Sequence, residues 1–289
     1  MRHLSHAFLS GFSRSPVRPV ESSQHSPFRE LMAAASRPPF VKTGAAGDLP
    51  RLAAEATGLT ALRATGTVRV PEVYRCEITD GQARLEIEYL ELRGLDRESG
   101  ARLGKQLAEL HRHFGERFGF AEDNWIGGST QQNGWRNDWA RFFVEHRLRV
   151  QLAWAIGNGM DRKLAEQGES LAERLSAFFL DYQPQPSLLH GDLWGGNAGA
   201  LPDGTPVIFD PAVYSGDRET DVAMSELFGG FPESFYAGYR TAWPLDSGYE
   251  TRKTLYNLYH VLNHFNLFGA GYLNQARRMI GKLLAELRG

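Results

Sequence analysis

The stretch that decides the fold begins Ser-Leu-Leu-His-Gly-Asp-Leu-Trp-Gly-Gly-Asn at 187–197. It continues through Val-Ile-Phe-Asp-Pro at 207–211 to Gly-Asp-Arg-Glu-Thr-Asp at 216–221. Two short apolar pieces each run directly into an acidic residue, and a Gly-rich turn and a Pro-Asp-Gly turn lie between them. Two adjacent strands that end in this way would bring three polar residues together at one end of a small sheet. These residues are Asp192, Asn197 and Asp210.

The order and spacing of these three residues indicate phosphoryl transfer at a protein-kinase-like site. In such sites one Asp orients the attacking hydroxyl, an Asn five residues later holds magnesium, and a second Asp holds magnesium across the phosphates. A single Asp or Asn beside glycines is usually a plain turn former. An ordered set behind two apolar strands is far more specific. We therefore predict Asp192 as the catalytic residue and Asn197 and Asp210 as magnesium ligands.

The sequence resembles the fructosamine kinase (ketosamine-3-kinase) family from about Phe40 to the C-terminus. Three segments carry the resemblance: 190–197, 209–221 and Leu-Tyr-Asn-Leu-Tyr-His-Val-Leu-Asn-His at 255–264. It implies an α+β, two-lobed, protein-kinase-like fold, with a small β-rich N-lobe (1–90) and a larger, mainly helical C-lobe (91–289). It also implies ATP and Mg²⁺ as cofactors, and phosphorylation of the 3-hydroxyl of fructosamines or ribulosamines, which promotes deglycation.

The resemblance assigns further nucleotide contacts to the N-lobe. Lys42, at the end of a short apolar strand, would pair with the α- and β-phosphates. Glu55 lies thirteen residues later in a predicted helix over 49–62 and would hold that lysine in place. The segment Ile87-Glu88-Tyr89-Leu90 matches the hinge, where backbone groups would bind adenine.

The turn that should cover the phosphates departs from the family pattern. Relatives carry glycines there, whereas this chain offers Glu21-Ser22-Ser23. Ser22 and Ser23 can donate hydroxyls to nucleotide, but a Cβ obstructs close backbone approach and Glu21 would repel phosphate. We therefore predict weaker ATP binding than the family pattern would give.

Four residues are predicted to contact the acceptor: Trp194, Tyr214, Asp217 and His260. Trp194 could stack on the sugar carbons and bring the cationic amine near its ring face. Filling space beside the glycine turn is the alternative for this residue. For Asp221 we predict a structural role, as an acid in the first turn of a helix.

Periodicity predicts the remaining elements. Apolar and polar residues alternate over 68–74 and 83–89, on both sides of an Asp80-Gly81 turn, which is typical of half-buried strands. The three- to four-residue spacing of apolar residues predicts helices over 99–118, 137–155, 249–268 and 273–287. A capping box at Ser170 predicts a helix that begins there and extends through Phe179.

Composition restricts the partners. The 289 residues carry 32 Lys and Arg against 34 Asp and Glu, so nothing indicates binding to nucleic acid or to an anionic membrane. No apolar run approaches the roughly 20 residues of a membrane helix. The single Cys76 excludes an internal disulfide and is typical of a reducing cytoplasm. We expect a small-molecule or protein-bound ketoamine substrate and a monomer or weak homodimer.

Two alternatives stay open. The same core phosphorylates aminoglycosides, choline or homoserine in other kinases. The altered glycine turn would also permit a non-catalytic, nucleotide-binding homologue, although the complete set of Asp192, Asn197 and Asp210 argues against it.

Overall fold

A computed structural model describes residues 37–288, so the predicted turn at Glu21, Ser22 and Ser23 lies outside the described residues. The N-terminal part is a three-stranded antiparallel sheet with one long helix against it. The strands are β1 (Phe40–Ala45), β2 (Val73–Thr79) and β3 (Gln82–Ile87), in the order β1-β3-β2, and the helix is α1 (Leu49–Ala64).

The sheet forms where the alternating pattern predicted it, with one difference. Ala83, Leu85 and Ile87 of the central strand alternate toward the core and are buried. The turn at Asp80-Gly81 is confirmed, with positive φ at both residues, as in a tight hairpin. The predicted strand at 68–74 instead begins at Val73, because Pro71 has no N–H to donate to a ladder.

The rest of the described chain is mainly helical. Its helices are α2 (Arg97–Leu110), α3 (Trp139–Phe143), α4 (Arg149–Gly157), α5 (Arg162–Arg174), α6 (Glu219–Leu227), α7 (Glu233–Ala242), α8 (Tyr249–Phe268) and α9 (Leu273–Glu286). A π-helical turn, Val144–Leu148, joins α3 to α4. Three short antiparallel pairs connect the helices: β4 (Asn124–Ile126) with β5 (Ser129–Gln131), β6 (Ser187–Leu189) with β9 (Tyr214–Gly216), and β7 (Ala198–Ala200) with β8 (Pro206–Ile208). The α+β fold class is therefore confirmed.

Two predicted helix limits were wrong. α2 ends at Leu110, not at residue 118, because the backbone of Phe118 pairs with Arg136 instead. Phe118 is buried and continues the apolar spacing of α2, but it lies outside that helix. α5 begins after Asp161, whose carboxylate accepts a hydrogen bond from Leu164 N at 3.0 Å, so Ser170 lies inside that helix.

The helices α2 and α7 cross in close contact. A Cβ at Gly104 of α2 would lie 2.0 Å from the carbonyl oxygen of Phe235 on α7, so only glycine permits this approach. The crossing brings His111, which caps α2, to Tyr239 of α7. Between residues 37 and 288, no helix combines the length and the apolar character needed to cross a bilayer.

Candidate active site

The loop after β6 carries Asp192 through a turn at Gly191. Gly191 has a φ of 84°, and a Cβ there would lie 2.0 Å from the carbonyl oxygen of Ala212. Glycine is therefore required both for the backbone conformation and for the close approach. Ala212 N donates to His190 O at 2.8 Å, so the loop before Asp192 is fastened to the segment that follows Asp210.

Asn197 joins the predicted catalytic and metal residues. Its Nδ2 lies 2.9 Å from Asp192 O, 3.2 Å from Asp192 Oδ2 and 3.4 Å from Asp210 O. Burial and the nearby carboxylate of Asp210 raise the pKa of Asp192 to about 7, against the opposing effect of the Asn197 hydrogen bond. Asp192 is thus poised near neutral pH, which suits a general base.

Asp210, two residues after the end of β8, turns back toward the sheet of the N-terminal part. It has a φ of 55°, which is uncommon for a residue with a side chain. Its Oδ1 accepts a hydrogen bond from Lys42 Nζ, and the same ammonium lies 2.7 Å from Glu55 Oε1. Burial disfavours charge on Lys42, but the carboxylates of Asp210 and Glu55 outweigh it and hold the lysine pKa above its usual value.

The donor set fits magnesium bound together with a nucleotide. Mg²⁺ prefers oxygen ligands and is usually held by one or two carboxylates plus substrate phosphates and water. The hydrogen bonds of Asn197 use its amide nitrogen, and the Asp210 side chain is 44% exposed, so Asn197 Oδ1 and Asp210 Oδ2 are available to bind an ion. Within residues 37–288 no group of three His, Cys, Asp or Glu could hold a metal alone. The phosphates would therefore complete the site.

Asp221 has a role that the sequence did not indicate. Its carboxylate accepts hydrogen bonds from His190 N at 2.7 Å, Gly191 N at 2.9 Å and His111 Nε2 at 3.1 Å. Burial would raise the pKa of Asp221, but these hydrogen bonds outweigh it and hold the pKa below its ordinary value. The prediction of a structural acid is correct, but its partners lie outside its own helix. His190 and Gly191 belong to the loop at 190–197 that carries Asp192, called the catalytic loop below, and His111 caps α2.

Sequence reasoning missed His111 and Tyr239. His111 Nδ1 lies 2.8 Å from Tyr239 Oη, and both side chains are fully buried. A single histidine on an apolar helix is usually a core residue, and only the α2–α7 crossing shows that this one supports Asp221.

The predicted hinge continues the central strand β3. Ile87 is buried at the end of that strand, and Glu88 N already donates to Glu72 O at 2.8 Å. The Glu88 carboxylate pairs with Arg69, while the Tyr89 ring is 44% exposed. Any adenine contact at this segment would therefore use other backbone groups than Glu88 N–H, including those of Tyr89 and Leu90.

Of the four predicted acceptor residues, the structure leaves only Trp194 partly exposed. Its ring meets that of Phe228 edge-on, with centroids 6.3 Å apart. Tyr214 is buried on β9 with the Arg147 guanidinium 4.1 Å from its ring centroid. Asp217 is fully buried and accepts hydrogen bonds from Tyr182 Oη and Tyr256 Oη. His260 is 2% exposed.

These burials bear on the substrate role of three of the four residues, which stays a prediction. Tyr214, Asp217 and His260 lie beneath the site surface, where a sugar cannot reach them in this conformation. Tyr214 pairs with Leu189 at the end of β6, and Asp217 accepts a hydrogen bond from Tyr256 of α8, so both residues also support the packing around the site.

This fold and this site define a protein-kinase-like phosphotransferase. The solved structures that share the fold include a candidate fructosamine-3-kinase from Haemophilus somnus (33% identity, TM-score 0.77, covering 85% of this chain and 83% of that one) and the aminoglycoside phosphotransferase APH(4)-Ia (14% identity, TM-score 0.56, covering 86% and 87%). At 14% identity, the second likeness concerns the fold alone.

The family model for fructosamine kinase matches residues 1–286. A probable ketoamine kinase of Synechocystis is 47% identical over 85% of this chain and 82% of its own length. The chloroplastic protein-ribulosamine 3-kinase of Arabidopsis thaliana is 40% identical over 86% of this chain and 77% of its own. The chain belongs to the fructosamine kinase family.

Proposed function

We propose that the protein is an ATP-dependent kinase that phosphorylates the 3-hydroxyl of ketosamines. The observation that carries the proposal is the bridge that Asn197 makes between Asp192 and the backbone of Asp210, with Lys42 on the Asp210 carboxylate. The arrangement supports the proposal, because a proton acceptor, two metal ligands and a phosphate-binding cation would then lie around one point. The ketoamine and ribulosamine kinase names of its relatives support the substrate class.

The nucleotide would lie between the two lobes, divided near residue 90. Its adenine would meet the backbone of 87–90, and its phosphates would meet Lys42, which Glu55 holds in place. Magnesium bound by Asn197 and Asp210 would neutralise charge on the phosphates. The weaker ATP binding attributed to Glu21, Ser22 and Ser23 stays a prediction, which calorimetric titration of ATP into a variant with glycines at these positions would test.

These residues would act together in one displacement reaction at the γ-phosphorus of ATP. The 3-hydroxyl oxygen bonds to the γ-phosphorus while the bond from that phosphorus to ADP breaks, and Asp192 orients the hydroxyl and accepts its proton. Positioning and charge neutralisation supply most of the rate if the transition state is loose. Trp194, half-buried two residues after Asp192, would stack on the sugar carbons near the cationic amine.

The product explains why such a kinase reverses glycation. Phosphate at C3 is a better leaving group than hydroxide. Loss of a proton from C1 gives an enaminol, and inorganic phosphate then leaves C3. Addition of water to the resulting imine carbon releases the amine and leaves a deoxy-dicarbonyl sugar.

The test is the initial rate of ATP consumption with ribulosamine and fructosamine amino-acid adducts beside kanamycin and choline, all with Mg²⁺. We expect turnover of the ketoamines, and a ³¹P resonance that couples to the C3 proton of the product. Faster turnover of kanamycin or choline would show that the acceptor is an aminoglycoside or choline instead of a ketoamine. No turnover of any acceptor, with ATP still bound, would favour a non-catalytic homologue.

We further propose a free or protein-bound ketoamine as the partner, a monomer or weak homodimer, and a cytoplasmic location. Sedimentation velocity and fractionation of cells that produce the protein would test the last two.

A further inference from the structure

Two buried amide side chains of the β4–β5 hairpin reach the backbone just beyond Asp210. Asn124 Nδ2 donates to Val213 O at 2.7 Å, and Gln131 Nε2 donates to Ala212 O at 3.1 Å. The two amides are also joined, since Gln131 Nε2 lies 2.8 Å from Asn124 Oδ1. Asn124 is 5% exposed and Gln131 is 1% exposed, so water does not compete for these hydrogen bonds.

The orientation of Gln131 is fixed from α8. Tyr259 Oη donates to Gln131 Oε1 at 2.8 Å, which leaves the amide nitrogen to face Ala212 and Asn124. Every polar atom of this amide therefore has a partner, as a buried network requires.

The backbone that these amides hold is irregular and strained. Residues 211–213 belong to no helix or strand, so their buried carbonyls cannot be satisfied by a ladder. They follow Asp210, whose positive φ is unfavourable for a residue with a Cβ and persists only when its surroundings fix it. The same Ala212 lies against Gly191 and donates its N–H to His190 O. Ala212 is thus held between the hairpin and the catalytic loop.

We infer that Asn124 and Gln131 are positioning residues for magnesium–nucleotide binding. They act through the carbonyls of Ala212 and Val213, which set the backbone of Asp210 and its distance from Asp192. The inference rests on the proposed function, because Asp210 must be a metal ligand. Neither residue touches substrate. A misplacement of about 1 Å at the metal ligand is enough to reduce the rate on the order of 10²-fold.

The sharpest variants keep the size and remove the donor. In Asn124→Asp and Gln131→Glu, a carboxylate oxygen replaces the nitrogen that faces a backbone carbonyl, so attraction becomes repulsion. Asn133→Asp is the matched control. Asn133 is a fully buried amide next to the same hairpin, and it bonds to Glu122 O and Arg147 instead of residues 212–213.

The experiment measures ATP binding by calorimetry over a range of Mg²⁺ concentrations, together with thermal unfolding of each variant. We expect Asn124→Asp and Gln131→Glu to need about tenfold more Mg²⁺ for half-maximal tightening of ATP binding, as expected for a displaced ligand. The control should keep the wild-type magnesium dependence, whatever its effect on Tm. If Gln131→Glu does not fold, Tyr259→Phe removes the hydrogen bond that orients Gln131 and should shift the same dependence by a smaller factor.

The outcomes separate the two proposals. Variants with the magnesium dependence of the control would overturn the positioning role and leave the proposed function standing. A wild-type protein whose ATP binding does not respond to Mg²⁺ would overturn both.

Discussion

The carboxylate of Asp221 accepts the backbone N–H of Gly191 at 2.9 Å, from a helix that begins 28 residues further along the chain. Together with His190 N and His111 Nε2, this gives one buried carboxylate three donors. We predict that Asp221→Asn lowers the free energy of unfolding by about 3 kcal/mol, because its amide nitrogen would face a backbone N–H. We also expect kcat to fall at least ~10²-fold, because the catalytic loop loses its support.

Asp217→Asn is the matched control for this prediction. Asp217 is equally buried and accepts from Tyr182, Tyr256 and Glu219 N, but it does not touch the catalytic loop. Urea unfolding and steady-state kinetics on both variants should give similar losses of stability and a loss of kcat only in Asp221→Asn. A selective rise in the KM for ketoamine in Asp217→Asn would instead support the substrate role predicted from the sequence.

Asp192→Asn should lower kcat at least ~10²-fold and leave ATP affinity within a factor of about two, because a positioned base is lost while the phosphate-binding groups remain. Asn has the same size as Asp, and its side-chain oxygen can still accept the hydrogen bond from Asn197 Nδ2. Steady-state kinetics and ATP calorimetry measure the two effects separately. Turnover at the wild-type rate would end the assignment of Asp192 as the base.

The raised pKa of Asp192 predicts an acid limb in the pH–rate profile. Asp192 must be deprotonated to accept the hydroxyl proton, and its pKa is about 7 in the free protein. Below that value, kcat/KM should fall about tenfold per pH unit. The limb in kcat should lie at lower pH, because bound magnesium would offset the Asp210 charge that helps to raise this pKa. Coincident limbs would contradict this electrostatic account.

The sequence was sufficient to predict that Asp192, Asn197 and Asp210 lie together. Asp192, Asn197 and Asp210 lie in loops whose geometry follows from short apolar strands and glycine turns, so local spacing carries the three-dimensional arrangement. The pairing of Lys42 with Glu55 was also predicted, and the two side chains lie 2.7 Å apart. The second contact follows from an element order that the family resemblance supplied.

Tertiary support could not be predicted in the same way. Asp221, His111 and Tyr239 meet only because Gly104 lets α2 approach α7, and no local pattern records that crossing. The substrate role of Tyr214, Asp217 and His260 stays a prediction, because all three side chains are buried in this structure. Tyr214 lies in one of the most specific sequence motifs. Such a motif contains residues that pack beneath the site as well as residues that contact ligand, and Tyr214 is buried.

Trp194→Ala should raise the KM for a ketoamine by a factor of about 2 to 30, the range that corresponds to a cation–π contact of about 0.5–2 kcal/mol. The KM for ATP should not change, and Trp194→Phe should recover part of the loss. Trp135 offers a control, since it is 37% exposed with the Arg117 guanidinium 5.2 Å from its ring centroid. If Trp194→Ala keeps the ketoamine KM of Trp135→Ala, the tryptophan only fills space and the substrate class is unaffected.

The last prediction concerns the dependence of stability on pH. His260 is buried on α8, and its Nδ1 has no hydrogen-bond partner among the described residues. Burial, together with the neighbouring His264, lowers the pKa of His260 to about 3, whereas an unfolded histidine titrates near 6.5. Between these values the unfolded chain binds the extra proton, so His260 makes stability fall as the pH falls below about 6.5.

Replacement of this histidine should therefore flatten the pH dependence. From pH 7.5 to pH 5, the wild-type protein should lose about 2 kcal/mol more unfolding free energy than His260→Gln, which has no proton to bind. Urea unfolding of both proteins at the two pH values gives this difference, and any constant cost of the substitution cancels. His113→Gln is the control for a histidine-to-glutamine change at an exposed position. If His260→Gln retains the full wild-type loss, other buried groups dominate the acid response.

Activity at pH 7.5 then tests the function predicted for His260 from the sequence: a selective rise in the ketoamine KM would show that the imidazole reaches the substrate after a local rearrangement of α8.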